Sequence, residues 1–221
     1  MTDESQLYSV PPPEPPAPSY PVTLEADPPG ELSRLSTFFR IILAIPLFIF
    51  VAVLSGGVES SAADQTQDGF YFSLGTLGSL VVAHWVVILV RRRPVGWLFD
   101  TIVHIQRFST RALAYILLLT DKYPPFEGEW FLRYEVERPE VLSRWKLLFW
   151  KVITAIPHIL ILIALWFLVA VVVVIAWFAI LFTGRFPAGL YNLVVGWLRW
   201  EARVSAYVMS LTDVYPPFSM N

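Results

Sequence analysis

Cysteine is missing from all 221 residues, which excludes disulfides, thiolate nucleophiles and cysteine-held metal. Charge is scarce as well: 16 Lys and Arg against 18 Asp and Glu give a formal net charge of -2. A chain without a concentrated basic face lacks the electrostatic footprint of a nucleic-acid binder. There is no Gly-x-Ser-x-Gly, phosphate-binding loop, HExxH or pair of acids inside an apolar stretch. With no nucleophile, base and orienter able to converge, the sequence supports no enzyme and calls for no catalytic residue, metal or cofactor. The first 32 residues hold no Lys or Arg, so they do not read as a secretory signal, which needs a basic start. Prolines among them, including Pro11, Pro12, Pro13, Pro15, Pro16, Pro18 and Pro21, predict an extended, solvated tail over residues 1–32, or a proline-rich ligand for a partner.

What the chain has in excess is hydrocarbon: 56% of it is hydrophobic, against about 45 to 50% in a soluble domain. Four apolar stretches, Thr37 to Leu54, Leu74 to Val90, Leu147 to Ile163 and Leu165 to Phe182, lie near the lower edge of the roughly 17 to 25 residues that cross a bilayer. The last two run together. As one helix they would overshoot the apolar layer by about 20 Å at roughly 1.5 Å per residue, so a tight helical hairpin is expected. Cations flank these stretches at Arg34, Arg40, Arg91 to Arg93, Arg144, Lys146, Lys151 and Arg185, while the loop Ser55 to Ser73 carries only acids. Four crossings put every Lys and Arg on one side, which predicts a multi-pass protein of the cell membrane with both termini cytoplasmic. Two further segments, Val95 to Leu119 and Ala188 to Leu211, have apolar residues at helical spacing interrupted by arginine, and are expected to lie as amphipathic helices in the interface.

Self-similarity is the most specific signal. Arg107 to Phe126 reads RFSTRALAYILLLTDKYPPF and Arg199 to Phe218 reads RWEARVSAYVMSLTDVYPPF. Upstream, Ala44-Ile45-Pro46 matches Ala155-Ile156-Pro157, and Arg40 matches Lys151. The expected fold class is therefore an all-α integral membrane protein: four transmembrane helices in two parallel repeats, each a helical hairpin followed by an interfacial helix. Its parts are the tail 1–32, repeat one at 33–126, a linker at 127–142 and repeat two at 143–221.

These motifs, with Phe182-Thr183-Gly184-Arg185-Phe186-Pro187-Ala188-Gly189-Leu190-Tyr191, Tyr207 and Leu211-Thr212-Asp213-Val214-Tyr215-Pro216-Pro217-Phe218, resemble the bacterial membrane-protein family known as domain of unknown function 4389. The resemblance covers both copies; copy one departs from it with Val90-Arg91-Arg92-Arg93-Pro94. It implies a helical membrane fold and transfers no catalytic or binding residue.

Several residues are candidates for function, each with a plainer alternative. Pro46 and Pro157 free the carbonyls of Ile42 and Ile153, as at transporter binding sites, or merely bend a helix. His84 and His158 lie inside apolar stretches, as proton carriers or ligands, or as neutral rings bonded to a neighbouring helix. Arg107 with Arg111 and Arg199 with Arg203, four apart on a helical face, suit anionic lipid phosphates or are the ordinary signal of sidedness. Tyr123 and Tyr215 open two Tyr-Pro-Pro-Phe ends that either stop a helix or dock a partner. The function expected is a non-enzymatic accessory or scaffold subunit of a membrane assembly, contacting anionic lipid headgroups and either a protein partner or a second copy. The alternatives are a small transporter or channel with a site between the repeats, and an anionic-lipid-binding protein.

Overall fold

The computed structural model describes residues 20–28, 30–55, 75–146 and 150–220. The proline cluster Pro11 to Pro18 and the acidic loop from 56 to 73 lie outside the described residues. The chain runs β1 (Val22–Ala26), α1 (Arg34–Phe38), α2 (Arg40–Ser55), α3 (Gly75–Arg91), α4 (Gly96–Ile116), β2 (Leu132–Val136), α5 (Lys151–Thr183) and α6 (Ala188–Val208).

The expected four crossings are not found: one described helix, α5, is long and apolar enough to cross a membrane. It is a single helix of 33 residues, not a hairpin. The reason is local. Only Ala164 separates the two apolar stretches, and no glycine, proline or polar residue interrupts Ile159 to Phe182, so backbone hydrogen bonding continues until Gly184. There a left-handed φ of 74° closes the helix, with Gly184 N–H bonded to the Ile180 carbonyl at 2.8 Å. In copy one the chain is divided instead, and α2 (16 residues) and α3 (17 residues) reach only roughly 24 and 26 Å, short of the about 30 Å of apolar layer. With one such helix among the described residues, an even number of crossings, and with it the placing of all cations and both termini on one side, is not supported.

The helices expected in the interface are instead the protein's core. Along α6, Val194, Val195, Gly196, Trp197 and Leu198 are buried in unbroken succession, so this stretch leaves no face for solvent, and α4 buries Phe99, Ile102, Val103, Phe108 and Tyr115. What surrounds them includes β-structure, so the all-α class holds only in part. Val22 and Leu24 alternate inward with exposed Thr23 and Glu25, as do Leu132 and Tyr134 with Arg133 and Glu135. The strands pair antiparallel with Leu24 opposite Tyr134. Thus part of the expected tail is a strand whose partner comes from the linker.

This register joins equivalent positions of the two copies, since Leu24 precedes Leu32-Ser33-Arg34 by the same interval as Tyr134 precedes Leu142-Ser143-Arg144. Each copy's leading segment docks on the other. Strand β1 packs against α6 and β2 against α4. Leu32 N–H bonds the Gly184 carbonyl at 2.9 Å, and Leu142 N–H bonds that of Arg92 at 2.8 Å. The units are interlocked rather than laid side by side.

Helix α5 turns one stripe inward, including Lys151, Ala155, His158, Leu162, Val169, Val172, Ala176 and Ile180. The rest is exposed hydrocarbon: within its most apolar window only 22% is buried. A core helix of a water-soluble protein would be mostly covered. Helix α2 adds Ile41, Ile42, Phe48 and Ile49 to the exposed apolar surface. Such a surface supports association with a membrane.

Candidate functional site

The Leu-Thr-Asp turns that follow α4 and α6 build one motif twice. In copy one, the Asp121 carboxylate accepts from the backbone N–H of Ser33, from Ser36 Oγ at 2.6 Å and from Arg40 at 2.6 Å. Arg40 also donates to the Thr120 carbonyl at 2.8 Å and lies 4.1 Å from the Tyr115 ring centre. In copy two, Asp213 accepts from Ser143 N–H at 2.6 Å and pairs with Lys151 at 2.7 Å. Lys151 donates to the Thr212 carbonyl at 2.8 Å and faces Tyr207 at 5.3 Å. Both cations are deeply buried, Arg40 at 3% exposure and Lys151 at 2%. Burial of a charge demands such a partner. The chain reaches each Asp through a left-handed residue, Leu118 (φ 65°) or Ser210 (φ 62°). The clamp ties the start of each copy to its end.

The four arginines singled out for lipid are turned into the protein. Arg107 Nε donates to the Tyr134 carbonyl and Arg199 Nε to the Leu24 carbonyl, each at 3.0 Å. Both acceptors belong to the central strand pair, and each arginine reaches the strand of the other copy. Arg111 donates to the carbonyls of Pro125 (3.1 Å) and Gly128 (2.8 Å), and Arg203 to that of Ser219 (3.4 Å). These bonds hold the Tyr-Pro-Pro-Phe ends. Burial and the charge of Arg107 pull the Arg111 guanidinium below its usual range. Tyr123 and Tyr215 are exposed at these ends, Tyr123 edge-on to Tyr115 at 5.6 Å and Tyr215 edge-on to Tyr207 at 5.9 Å.

Of the three histidines, the two candidates His84 and His158 are completely buried and bonded. His84 Nε2 lies 3.3 Å from the Ser210 carbonyl, which can only accept, so Nε2 carries the proton. Trp200 Nε1–H donates to His158 Nδ1 at 3.0 Å, so that nitrogen carries none, and Phe218 stacks on the ring at 3.8 Å. Protonating His158 at Nδ1 would oppose two N–H groups, which disfavours a proton-carrier role. Pro46 and Pro157 lie within α2 and α5 on their outward faces. The structure does not bring the histidines and prolines together around a cavity.

A different residue occupies that position. Glu201 of α6 lines two cavities, one of about 510 Å³ along α5 with Ile159, Leu162, Ile163, Trp166 and Trp197, the other of about 220 Å³ with Gln106, Ser109 and Thr110 of α4. Burial raises its carboxyl to about 7. Nothing in the reading of motifs pointed to it. The available signal was a difference between copies: RFSTR in one and RWEAR in the other place Glu201 where copy one has Ser109.

The family model described as domain of unknown function (DUF4389) matches residues 70–127 and again 146–220. The chain belongs to this family. No curated protein and no solved structure matches it. Each DUF4389 match includes a Leu-Thr-Asp turn and its Tyr-Pro-Pro-Phe end, whereas strand β1, strand β2, Ser33, Arg40 and Ser143 lie outside. In this DUF4389 protein the matched segments therefore supply the clamp's carboxylates, and the preceding segments supply Ser33, Arg40 and Ser143.

Proposed function

We propose that the protein is a non-enzymatic scaffold or accessory subunit of a membrane assembly, anchored through α5. The observation that carries the reading is that the conspicuous polar side chains are used by the fold itself. Arg107, Arg111, Arg199 and Arg203 bond backbone carbonyls, and both histidines are held in place, while hydrocarbon on α2 and α5 faces outward. An apolar belt of this kind suits lipid chains and the helices of a partner. Transport between the copies would need a polar path, and neither histidine lines the cavities beside Glu201, Tyr215 or Trp177. Purification of the full chain in a mild neutral detergent should retain a protein partner at fixed stoichiometry. A lone monomer from cells that express it natively would overturn the proposal.

Contact with anionic headgroups is favoured at another place than the repeated arginines. Arg91, Arg92 and Arg93 are exposed at the end of α3, and Arg144 is drawn beside them by its bond to the Val90 carbonyl at 2.7 Å. Clustered cations near an apolar surface each gain roughly 1 kcal/mol from an anionic leaflet. Changing Arg91, Arg92 and Arg93 to Gln should lower the anionic lipid that co-purifies. Arg107→Gln with Arg199→Gln should leave the lipid unchanged yet cost about 1.5 to 3 kcal/mol of stability for each lost charged hydrogen bond. The reverse pattern in lipid analysis and thermal unfolding would return the lipid role to the helix arginines.

A further inference from the structure

The cavity along α5 and α6 has an unusual composition for a site walled by an apolar helix. Hydrocarbon and indole supply nearly all of it, and one carboxyl group, that of Glu201, stands in the wall. Among the described residues no cation pairs with this group. Its nearest cations in sequence, Arg199 and Arg203, are directed to the Leu24 carbonyl and to the Ser219 carbonyl with the Tyr20 ring. A half-buried carboxylate without a counter-charge is costly, and here nothing in the fold requires it: the equivalent position in copy one is Ser109, which lines the smaller cavity on the other side of Glu201. Copy two likewise has Ser205 where copy one has Leu113, and both of these also line the cavity. The copies agree at the clamps and strand-binding arginines, and diverge here. Trp166 and Trp197, with ring centres 5.3 Å apart, give the cavity faces that attract a cation.

We propose that this groove binds a lipophilic cation, with its hydrocarbon chain along Ile159, Ile163 and Trp166 and its ammonium group against the Glu201 carboxylate. About 510 Å³ lies within the range of small-molecule sites, roughly 300 to 1,000 Å³. The walls match an alkyl chain, and the single charge selects the sign of the head. Because α5 exposes Ile159, Leu160 and Ile163, a membrane-dissolved molecule reaches the groove sideways from the apolar layer. Ser205 Oγ beside Glu201 accepts from Gln106 Nε2 at 2.9 Å, which fixes the polar end of the site.

Binding must strengthen with pH, since only the ionised carboxylate attracts the head and desolvation raises the carboxyl to about 7. The groups facing Glu201 do not confuse this reading. Helix α4 presents Gln106, Ser109 and Thr110; α5 presents hydrocarbon and Trp166; α2 presents Phe48 and Val51. From β2 comes Tyr134, whose phenol burial drives well above its usual range.

The test uses the full chain in neutral maltoside detergent and radiolabelled tetradecyltrimethylammonium, followed by equilibrium dialysis between pH 6 and pH 8. One saturable equivalent per chain is expected, with affinity rising severalfold across that range. Glu201→Gln should weaken binding at least tenfold at pH 8 and flatten the pH profile, while Glu201→Asp keeps the pH dependence. Glu129→Gln, in an exposed loop, should change neither. Tetradecanol, with the same chain and no charge, should bind no better to the wild type than to Glu201→Gln. Equal binding of the cation by wild type and Glu201→Gln, or a wild-type affinity indifferent to pH, overturns the proposal.

Discussion

Asp213→Ala is expected to lower the unfolding temperature of the detergent-solubilised protein by about 10 °C. The substitution leaves the Lys151 ammonium, 2% exposed, with only the Thr212 carbonyl at 2.8 Å and the Tyr207 ring. Stranding one member of a buried pair costs roughly 3 to 5 kcal/mol, and each kcal/mol moves the midpoint by about 2 to 4 °C in a chain of this size. It also releases the Ser143 N–H that the carboxylate accepts at 2.6 Å. Removing both charges, Lys151→Met with Asp213→Ala, should recover most of the loss, because the penalty comes from the orphaned charge more than from the lost attraction. Asp121→Ala should cost less. Arg40 spreads its charge over a guanidinium that keeps the Thr120 carbonyl at 2.8 Å and lies closer to its aromatic ring, 4.1 Å against 5.3 Å. Thermal unfolding followed by circular dichroism measures all three. A double variant no more stable than Asp213→Ala would remove the clamp from the account of stability.

The elements of that clamp could be seen in the sequence, though not their meeting. The match of Arg40 with Lys151 and the repeated Leu-Thr-Asp mark both halves of it, but a contact spanning 81 residues depends on how the helices between are arranged. The repeated arginines were equally visible and their targets were not. Strands β1 and β2 are five residues each, followed by Asp27 and Glu137, and they bury only alternate side chains, so they resemble polar connections. A single strand of that kind carries little signal; pairing with its equivalent in the other copy creates the carbonyl row that Arg107 and Arg199 bind. Removal of those carbonyls from view is what made the arginines look available to phosphate. Helices α4 and α6 misled for a related reason. Their charges suggest a wet face, whereas the guanidiniums are satisfied by backbone within the protein, and β1 with α5 covers α6 while β2 with α2 and α3 covers α4. The error over α5 was one of length against chemistry. An overshoot of the apolar layer favours a hairpin, but a hairpin requires a residue that ends a helix at the junction, and none occurs between Pro157 and Gly184. The excess is accommodated by packing the start of the helix, Lys151 to Leu162, beside α6, where Trp197 bonds the Leu162 carbonyl at 3.3 Å.

Whether that exposed helix lies in lipid or in water is decided by a lysine placed at its middle. Any segment of about 20 residues, the length that crosses the apolar layer, must include residues 164–170 when drawn from a helix of 33. Phe167 is in that interval and 68% exposed; Phe182, 77% exposed, is at the end. The same substitution at the two sites therefore separates depth from exposure. In a bilayer, Phe167→Lys should cost roughly 3 kcal/mol on the insertion scale, on the order of a hundredfold in partition, while Phe182→Lys can extend its ammonium toward the headgroups at little cost. Resistance to alkaline carbonate extraction should fall for Phe167→Lys and persist for Phe182→Lys. In water the order vanishes, since an exposed lysine changes stability by no more than about 0.5 kcal/mol at either place and relieves apolar exposure at both. Equal membrane retention of the two variants would therefore reject α5 as the anchor, and with it the scaffold reading. A selective loss at Phe167 would show that the uncovered hydrocarbon of α5 is matched to a bilayer, and that the stripe from Ala155 to Ile180 is what remains for holding the interlocked copies to their anchor.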